Sequence, residues 1–105
     1  LPGVIVVCGD RHWQYASTDD ATGLWEFGCG PGSALHDLGW REGDTRPEQR
    51  FLRVAAGFLS GEVAVAGDGT PTLTLRHHSV TGEEQSRFRF PRDFAAASSA
   101  TPARP

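Results

Sequence analysis

The sequence contains no methionine and no lysine, has only two cysteines, and lacks any long apolar run. Because translation starts with methionine and this chain starts with leucine, we expect that a leader was removed or that the chain is a carboxyl-terminal piece of a longer polypeptide. The apolar run at residues 4–8 is far shorter than the roughly 20 residues that a membrane-spanning helix needs. The sequence therefore predicts neither a membrane span nor a targeting segment.

The charge balance is mildly acidic, with 13 acidic residues against 10 basic ones. All ten basic residues are arginines scattered among carboxylates, so there is no basic stripe and no nucleic-acid partner is expected. Cys8 and Cys29 are too few for a disulfide scaffold and lack the spacing of a metal knuckle. Whether these two thiols form a bridge is left open, as is the oligomeric state.

The amino-terminal part of the chain is predicted to be β-structure. Residues 4–8 form an unbroken β-branched run that ends at Gly9, which is typical of a central, parallel strand buried on both faces. Turn residues at 19–23 separate residues 13–17 from residues 24–29, and this pattern predicts a hairpin. Short helical turns are expected at residues 33–39 and at Pro47–Arg50.

From Phe51 onward the pattern has a period of two, and it predicts an antiparallel meander of three strands at residues 58–65, 72–80 and 85–90. The carboxyl-terminal stretch is rich in Ala, Ser, Thr and Pro and has little to bury. We therefore predict a single domain at residues 1–92 and a disordered tail at 93–105. The fold class is α/β but β-rich, with one buried strand, a hairpin, a meander and little helix.

The segment Gly9-Asp10-Arg11-His12-Trp13 combines a carboxylate, a guanidinium and an imidazole at the end of the predicted buried strand. In open α/β sheets, ligands bind at the carboxyl ends of strands. A carboxylate and an imidazole suit a divalent or trivalent cation, and the Arg11 fork suits phosphate oxygens. Without further context, a salt-bridged pair that orients a turn is the better explanation of Asp10 and His12.

Five stretches carry a resemblance to a known family. These are VIVVCGDRHWQY at residues 4–15, TGL at 22–24, FGCGP at 27–31, GFLS at 57–60 and LTLRHH at 73–78. Over about residues 3–90 the sequence resembles the last part of the alkaline phosphatase D (PhoD-like) metallophosphatases, within the calcineurin-like metallophosphoesterases. The resemblance implies the carboxyl-terminal strands of a metallophosphoesterase β-sandwich.

The same resemblance implies hydrolysis of phosphate esters at a dinuclear site of iron, calcium, zinc or manganese. His12 takes the position of a metal-binding histidine in that superfamily. Asp10 falls where another histidine is usual, so it is either a metal ligand or a residue that orients one. Arg11 would line this site, and its guanidinium is expected either to contact phosphate or to pair with Asp10. The family's other metal motifs are absent from this sequence, so we expect the isolated chain to be inactive; export is implied by the family alone.

Three further expectations concern aromatic and histidine residues. The large residues of the predicted hairpin alternate, which indicates packing across strands. An alternative function is a small all-β binding module in which Trp13, Tyr15 and Trp25 form an aromatic platform for a sugar or another polar ligand. Adjacent in a strand, His77 and His78 are expected to point to opposite faces and to be exposed or paired across strands, without sharing a metal.

Overall fold

The computed structural model describes residues 3–9, 13–32 and 47–94, and these form two β-sheets with a single helical turn at residues 92–94. The prediction of a β-rich chain with little helix is confirmed for this part of the sequence. No helix in it is long and apolar enough to cross a membrane. The strands are β1 (Ile5–Cys8), β2 (Gln14–Asp19), β3 (Leu24–Cys29), β4 (Gln49–Arg53), β5 (Gly57–Val65), β6 (Pro71–Ser79) and β7 (Glu84–Phe90).

The first sheet has four strands in the order β1-β3-β2-β4. The predicted hairpin is confirmed, since β2 and β3 are antiparallel with Asp19 paired to Leu24. Its turn is held by the Asp19 carboxylate, which accepts hydrogen bonds from the Ala21 amide at 3.1 Å and the Thr22 hydroxyl at 2.9 Å. These local bonds are what Asp and Thr supply in turns.

Strand β1 runs parallel to β3, from the pair Ile5–Trp25 to the pair Cys8–Gly28. The parallel direction agrees with the prediction, but the central, doubly buried position is wrong for the part of the chain that the structure describes. β1 is an edge strand, and Val6 and Val7 are 37% and 54% exposed. A β-branched run favours an extended backbone anywhere, whereas burial on both faces also requires layers above and below it.

Strand β4 replaces the helical turn that was expected at Pro47–Arg50. It pairs antiparallel with β2, with Gln14 opposite Arg53 and a register shift between Ala16 and Ser17. The free edge of β2 offers backbone hydrogen bonds, and these outweigh a weak local preference for helix. The other expected helix, at residues 33–39, lies outside the described residues.

The second sheet is the predicted meander, with the strand order β5-β6-β7 and both pairs antiparallel. The two sheets meet through aromatic rings: Trp25 and Phe27 of the first sheet lie 5.4 Å and 6.0 Å from Phe90 of the second. Packing of Trp25 and Phe27, predicted from alternation, is thereby confirmed. The fully buried apolar cluster consists of Ala16, Trp25, Phe27, Leu75 and Phe90.

The folded part of the chain continues past the expected boundary at residue 92. The ring of Phe94 lies 4.6 Å from that of Phe90, and the Asp93 carboxylate accepts a hydrogen bond of 2.6 Å from the Arg89 amide. Residues 93 and 94 therefore belong to the packed body. The rest of the predicted tail, residues 95–105, lies outside the described residues.

Candidate functional site

The three residues predicted to carry the chemistry, Asp10, Arg11 and His12, lie outside the described residues. The polypeptide on either side of them is described. Cys8 ends β1 and Gln14 begins β2, and both strands are hydrogen-bonded to β3. The predicted segment thus connects two strand ends that flank one partner strand.

These strand ends meet at one edge of the first sheet. Because β1 and β3 are parallel, Cys8 and Cys29 both lie at this edge, and Gln14 is paired with Cys29 on one side and with Arg53 on the other. The expectation that the predicted segment follows the carboxyl end of a parallel strand therefore agrees with the backbone. We call these four residues the motif edge.

Gln14 is fully buried and joins the two sheets at the motif edge. Its Nε2 donates to the carbonyl oxygen of His78 at 2.9 Å and more weakly to that of Phe58 at 3.4 Å. Its Oε1 accepts a hydrogen bond of 2.7 Å from Arg53, which also donates to the Ala56 carbonyl at 3.1 Å. Since every polar atom of the amide is satisfied, Gln14 holds the start of β2 in one position.

Tyr15, Glu26 and Cys8 form a polar cluster on the outer face of the first sheet. The Tyr15 hydroxyl donates to the Glu26 carboxylate, and it lies 3.2 Å from the Cys8 sulfur. Burial of the ring, together with the hydrogen bonds to Cys8 and Glu26, raises the pKa of Tyr15 well above its ordinary value. The phenol is therefore a neutral hydrogen-bond donor and not a phenolate.

Gly28 makes the position of Tyr15 possible. The two residues are paired across β2 and β3, and the Tyr15 ring lies over the glycine where a Cβ atom would otherwise stand. With no side chain at 28, the ring reaches across β3 to the cluster at Cys8 and Glu26. The alternation of large residues in the sequence indicated only packing for Tyr15, and it did not predict these hydrogen bonds to Glu26 and Cys8.

His77 is completely buried, so the expectation of exposure is wrong for it, whereas pairing across strands is confirmed by its contact with Ser86, the residue opposite on β7. Its ring lies between Phe51 and Phe27, with centroid distances of 4.9 Å and 5.9 Å. Nε2 donates to the Gly28 carbonyl at 2.9 Å, so Nδ1 accepts from the Ser86 hydroxyl at 2.8 Å. Burial lowers the pKa of His77 and favours the neutral ring.

His78 points to the opposite face of β6, as predicted. Its Nδ1 donates to the Gly82 carbonyl at 3.2 Å, its Nε2 accepts from the Ser60 hydroxyl at 2.8 Å, and its ring stacks on Phe58. The two histidines therefore bind different partners. The signal available in the sequence was the alternation of β6, which separates the faces but does not say which face is covered.

The three aromatic residues of the alternative platform do not lie on one face. Trp25 is opposite Thr18 and is 3% exposed in the core, whereas Tyr15 is opposite Gly28 on the outer face. Trp13 remains near Tyr15, with ring centroids 6.5 Å apart. Since only two of the three rings are neighbours and Tyr15 is itself 6% exposed, this surface does not present a three-ring platform.

The two cysteines are free thiols. Cys8 is paired with Gly28, the residue before Cys29, so the two side chains point to opposite faces of the sheet. Burial, with a smaller contribution from Cys8, raises the pKa of Cys29. Both observations favour the unbridged state.

No group of three or more His, Cys, Asp or Glu side chains suited to a metal ion occurs among the described residues. The predicted ligands Asp10 and His12 are not among those residues. Comparison of the chain with protein-family models, with curated proteins and with solved structures finds no match.

Proposed function

We propose that this chain is the carboxyl-terminal part of a metal-dependent phosphatase of the alkaline phosphatase D type, and that it contributes His12 and Asp10 to a dinuclear metal site. The observation that supports this proposal is the parallel pairing of β1 with β3. This pairing brings the end of β1 and the start of β2, which flank residues 10–12, to the motif edge. The carboxyl edge of parallel strands is where α/β proteins bind ligands.

A second supporting feature is the rigidity of the residues next to the predicted segment. Gln14 is fixed by three partners in the second sheet and β4, and Tyr15 is fixed by Glu26. Metal ligands function only when their backbone is held within fractions of an ångström. The clamp at Gln14 is thus the kind of support that a metal-binding loop requires.

The chemistry assigned to each residue follows from its type. A bound metal would polarise the phosphoryl group and lower the pKa of a coordinated water. The His12 imidazole would donate a ring nitrogen, Asp10 would donate a carboxylate oxygen or orient a neighbouring ligand, and Arg11 would hold phosphate oxygens with its guanidinium fork. The proposed substrate is a phosphate ester.

Two ligands are too few for a two-metal clamp, so the remaining ligands belong upstream in the proposed longer protein. The first test is the coding sequence before Leu1, where Asp-x-His and Gly-Asn-His motifs are expected. A stop codon or a signal peptide directly before Leu1 would contradict the phosphatase and favour a free-standing binding module.

The biochemical test uses the longer protein with its upstream region. We expect His12→Ala to lower kcat for an aryl phosphate ester by about 100-fold and to lower metal content. Replacing even a residue that only orients a metal ligand typically lowers metal affinity or activity by about 10- to 100-fold. His78→Ala, on the outer face of β6, serves as the matched control and is expected to keep both values. Unchanged turnover in His12→Ala, or turnover by the 105-residue chain alone, would refute the proposal.

The binding module remains the second hypothesis, but its aromatic surface is reduced to Trp13 and a largely buried Tyr15. Stacking platforms present ring faces to solvent. The described aromatic residues therefore give the module less support than the three-ring expectation did.

A further inference from the structure

Ser60 and His78 form a hydrogen-bonded pair on the outer face of the second sheet. The Ser60 Oγ lies 2.8 Å from Nε2 of His78, and both side chains are half-buried, so solvent reaches them. In the pairing of β5 with β6, Phe58 is opposite His78 and Ser60 is opposite Arg76. A hydroxyl within hydrogen-bond reach of an imidazole nitrogen is the arrangement that activates a serine nucleophile.

The His78 ring is held in the orientation that this chemistry needs. Its Nδ1 donates to the Gly82 carbonyl at 3.2 Å, which leaves Nε2 free to accept the proton of Ser60. Gly82 lies in the turn between β6 and β7, and its amide bonds back to the Ser79 carbonyl at 2.9 Å. The ring also stacks on Phe58, with centroids 4.6 Å apart. In a nucleophile–base pair a third group orients the base, and the Gly82 carbonyl takes that part here.

A second serine–histidine pair in the same sheet shows what distinguishes this one. Ser86 also lies 2.8 Å from a histidine nitrogen, Nδ1 of His77. His77 is completely buried between the two sheets, so a substrate does not reach that pair. The Ser60–His78 pair has a hydrogen bond of the same length and is open to solvent. Of these two pairs, only Ser60–His78 has the access that a reacting serine requires.

The surroundings of Ser60 supply a positive charge and an apolar surface. Arg76, opposite Ser60, binds Glu62 through Nη1 at 3.0 Å and Glu84 through Nε at 3.2 Å, and neither ion pair uses Nη2. A fixed guanidinium beside a nucleophile stabilises the negative charge that develops on an attacked carbonyl oxygen. The Phe58 ring is 45% exposed and offers an apolar contact to an aromatic group. These features suit a small ester with an aromatic part.

We propose that Ser60 is a nucleophile, activated by His78, that accepts the acyl group of small carboxylic esters. Ser60 Oγ attacks the carbonyl carbon, and its proton passes to His78 Nε2. The bond from that carbon to the leaving oxygen breaks as the imidazolium returns the proton to this oxygen. Water then attacks the acyl-serine in the same way, so ester and water yield acid and alcohol.

This inference uses the second sheet alone and is independent of the proposed phosphatase. The substrates are carboxylic esters, so turnover of phosphate esters does not depend on Ser60 or His78. Failure of either proposal therefore leaves the other standing.

The test is acetylation of the 105-residue chain by para-nitrophenyl acetate, with the acetyl group located by peptide mass spectrometry after an acid quench. The chain has no lysine, so acetylated lysine side chains do not obscure the result. We expect Ser60 to be acetylated about 100-fold faster than Ser17, a half-buried serine of β2, because general-base catalysis contributes at least this much. This comparison is made within one folded chain and does not depend on a variant.

Two variants separate reactivity from structure. His78→Gln keeps an amide that can bind Ser60 and Gly82 but cannot take up a proton, so acetylation of Ser60 should fall by about 100-fold while the circular dichroism spectrum is unchanged. The matched control is Thr72→Val, which removes a hydroxyl on the same face that bonds to the Ala64 carbonyl and should leave the rate unchanged.

Three results would overturn the proposal. The first is acetylation of Ser60 no faster than that of Ser17. The second is an acetyl group found on His78 and not on Ser60. The third is an unchanged rate at Ser60 in folded His78→Gln, which would mean that the hydrogen bond between the two side chains only stabilises the β5–β6 pair.

Discussion

Tyr15 lies across Gly28, and this single close approach explains how a buried phenol on β2 reaches the Glu26 carboxylate on the neighbouring strand β3. Among the described glycines, Gly28 is unusual because a Cβ there would overlap several atoms of one aromatic ring. Its backbone carbonyl also accepts the hydrogen bond from His77. The missing side chain of Gly28 thus makes room for the Tyr15 ring on the outer face of the first sheet, and the Gly28 carbonyl binds His77 of the second sheet.

We predict that Gly28→Ala destabilises the fold by about 1–3 kcal/mol, because the added methyl must displace the packed Tyr15 ring. Gly67→Ala is the control, since Gly67 lies in an exposed turn where a Cβ would meet nothing within 4 Å. The measurement is urea unfolding followed by tryptophan fluorescence. Equal midpoints for the two variants would mean that the ring moves without cost.

At the scale of elements, the start of β2 is attached to β5 and β6 by a side chain and not by strand pairing. The Gln14 amide bonds to the carbonyls of Phe58 and His78 and to the Arg53 guanidinium, so one residue of β2 is linked to β4, β5 and β6. A strand end held in this way resists fraying, because its release would leave buried carbonyls without partners.

Gln14→Glu tests this link with a nearly isosteric change. A carboxylate still accepts from Arg53, but it has no proton for the His78 carbonyl and repels that oxygen. We predict a loss of about 1–3 kcal/mol in the free energy of unfolding. Gln85→Glu, at a more exposed position with a weak local bond of 3.3 Å, should change stability little; a similar loss in both variants would argue against the link.

For the molecule as a whole, His77 connects the second sheet to the first. Its ring donates a hydrogen bond to the Gly28 carbonyl of β3 and lies between the rings of Phe27 and Phe51. Burial lowers its pKa from 6.5 in the folded protein. Above pH 6.5 the ring is neutral in both states, and as pH falls below that value the unfolded chain binds a proton first. Stability due to His77 is therefore complete above pH 6.5 and is lost as pH falls toward the lowered pKa.

We expect the free energy of unfolding to decrease between pH 7.5 and 5 with a contribution from His77 of at most about 1.4 kcal/mol per pH unit. His77→Gln should reduce this slope, because glutamine still donates to the Gly28 carbonyl but does not titrate. His78→Gln provides the comparison on the outer face. Parallel pH profiles for the wild-type chain and His77→Gln would exclude the assignment.

The alternation of apolar residues was enough to locate the hairpin and the meander, because side-chain period and turn residues are local properties. Trp25 and Phe27 could be assigned to packing on the same grounds. Strand β4 could not be located from the sequence, since its extended state depends on the free edge of β2, which is distant in the chain. The motif at Asp10–His12 was identified from its residue types at the end of the first strand and assigned to a phosphatase by resemblance, and its three residues lie outside the described part of the chain.

The sequence by itself determined, for every described strand except β4, which segments are extended and where the turns lie, and it determined that His77 and His78 face opposite ways, because each follows from backbone geometry over a few residues. Only the tertiary structure decided that β1 is an edge strand, that His77 is the buried member of the pair and that Gln14 joins two sheets. Those facts depend on which surfaces meet, and that is set by contacts between residues far apart in the chain, such as the bond between Gln14 and His78, which are 64 positions apart.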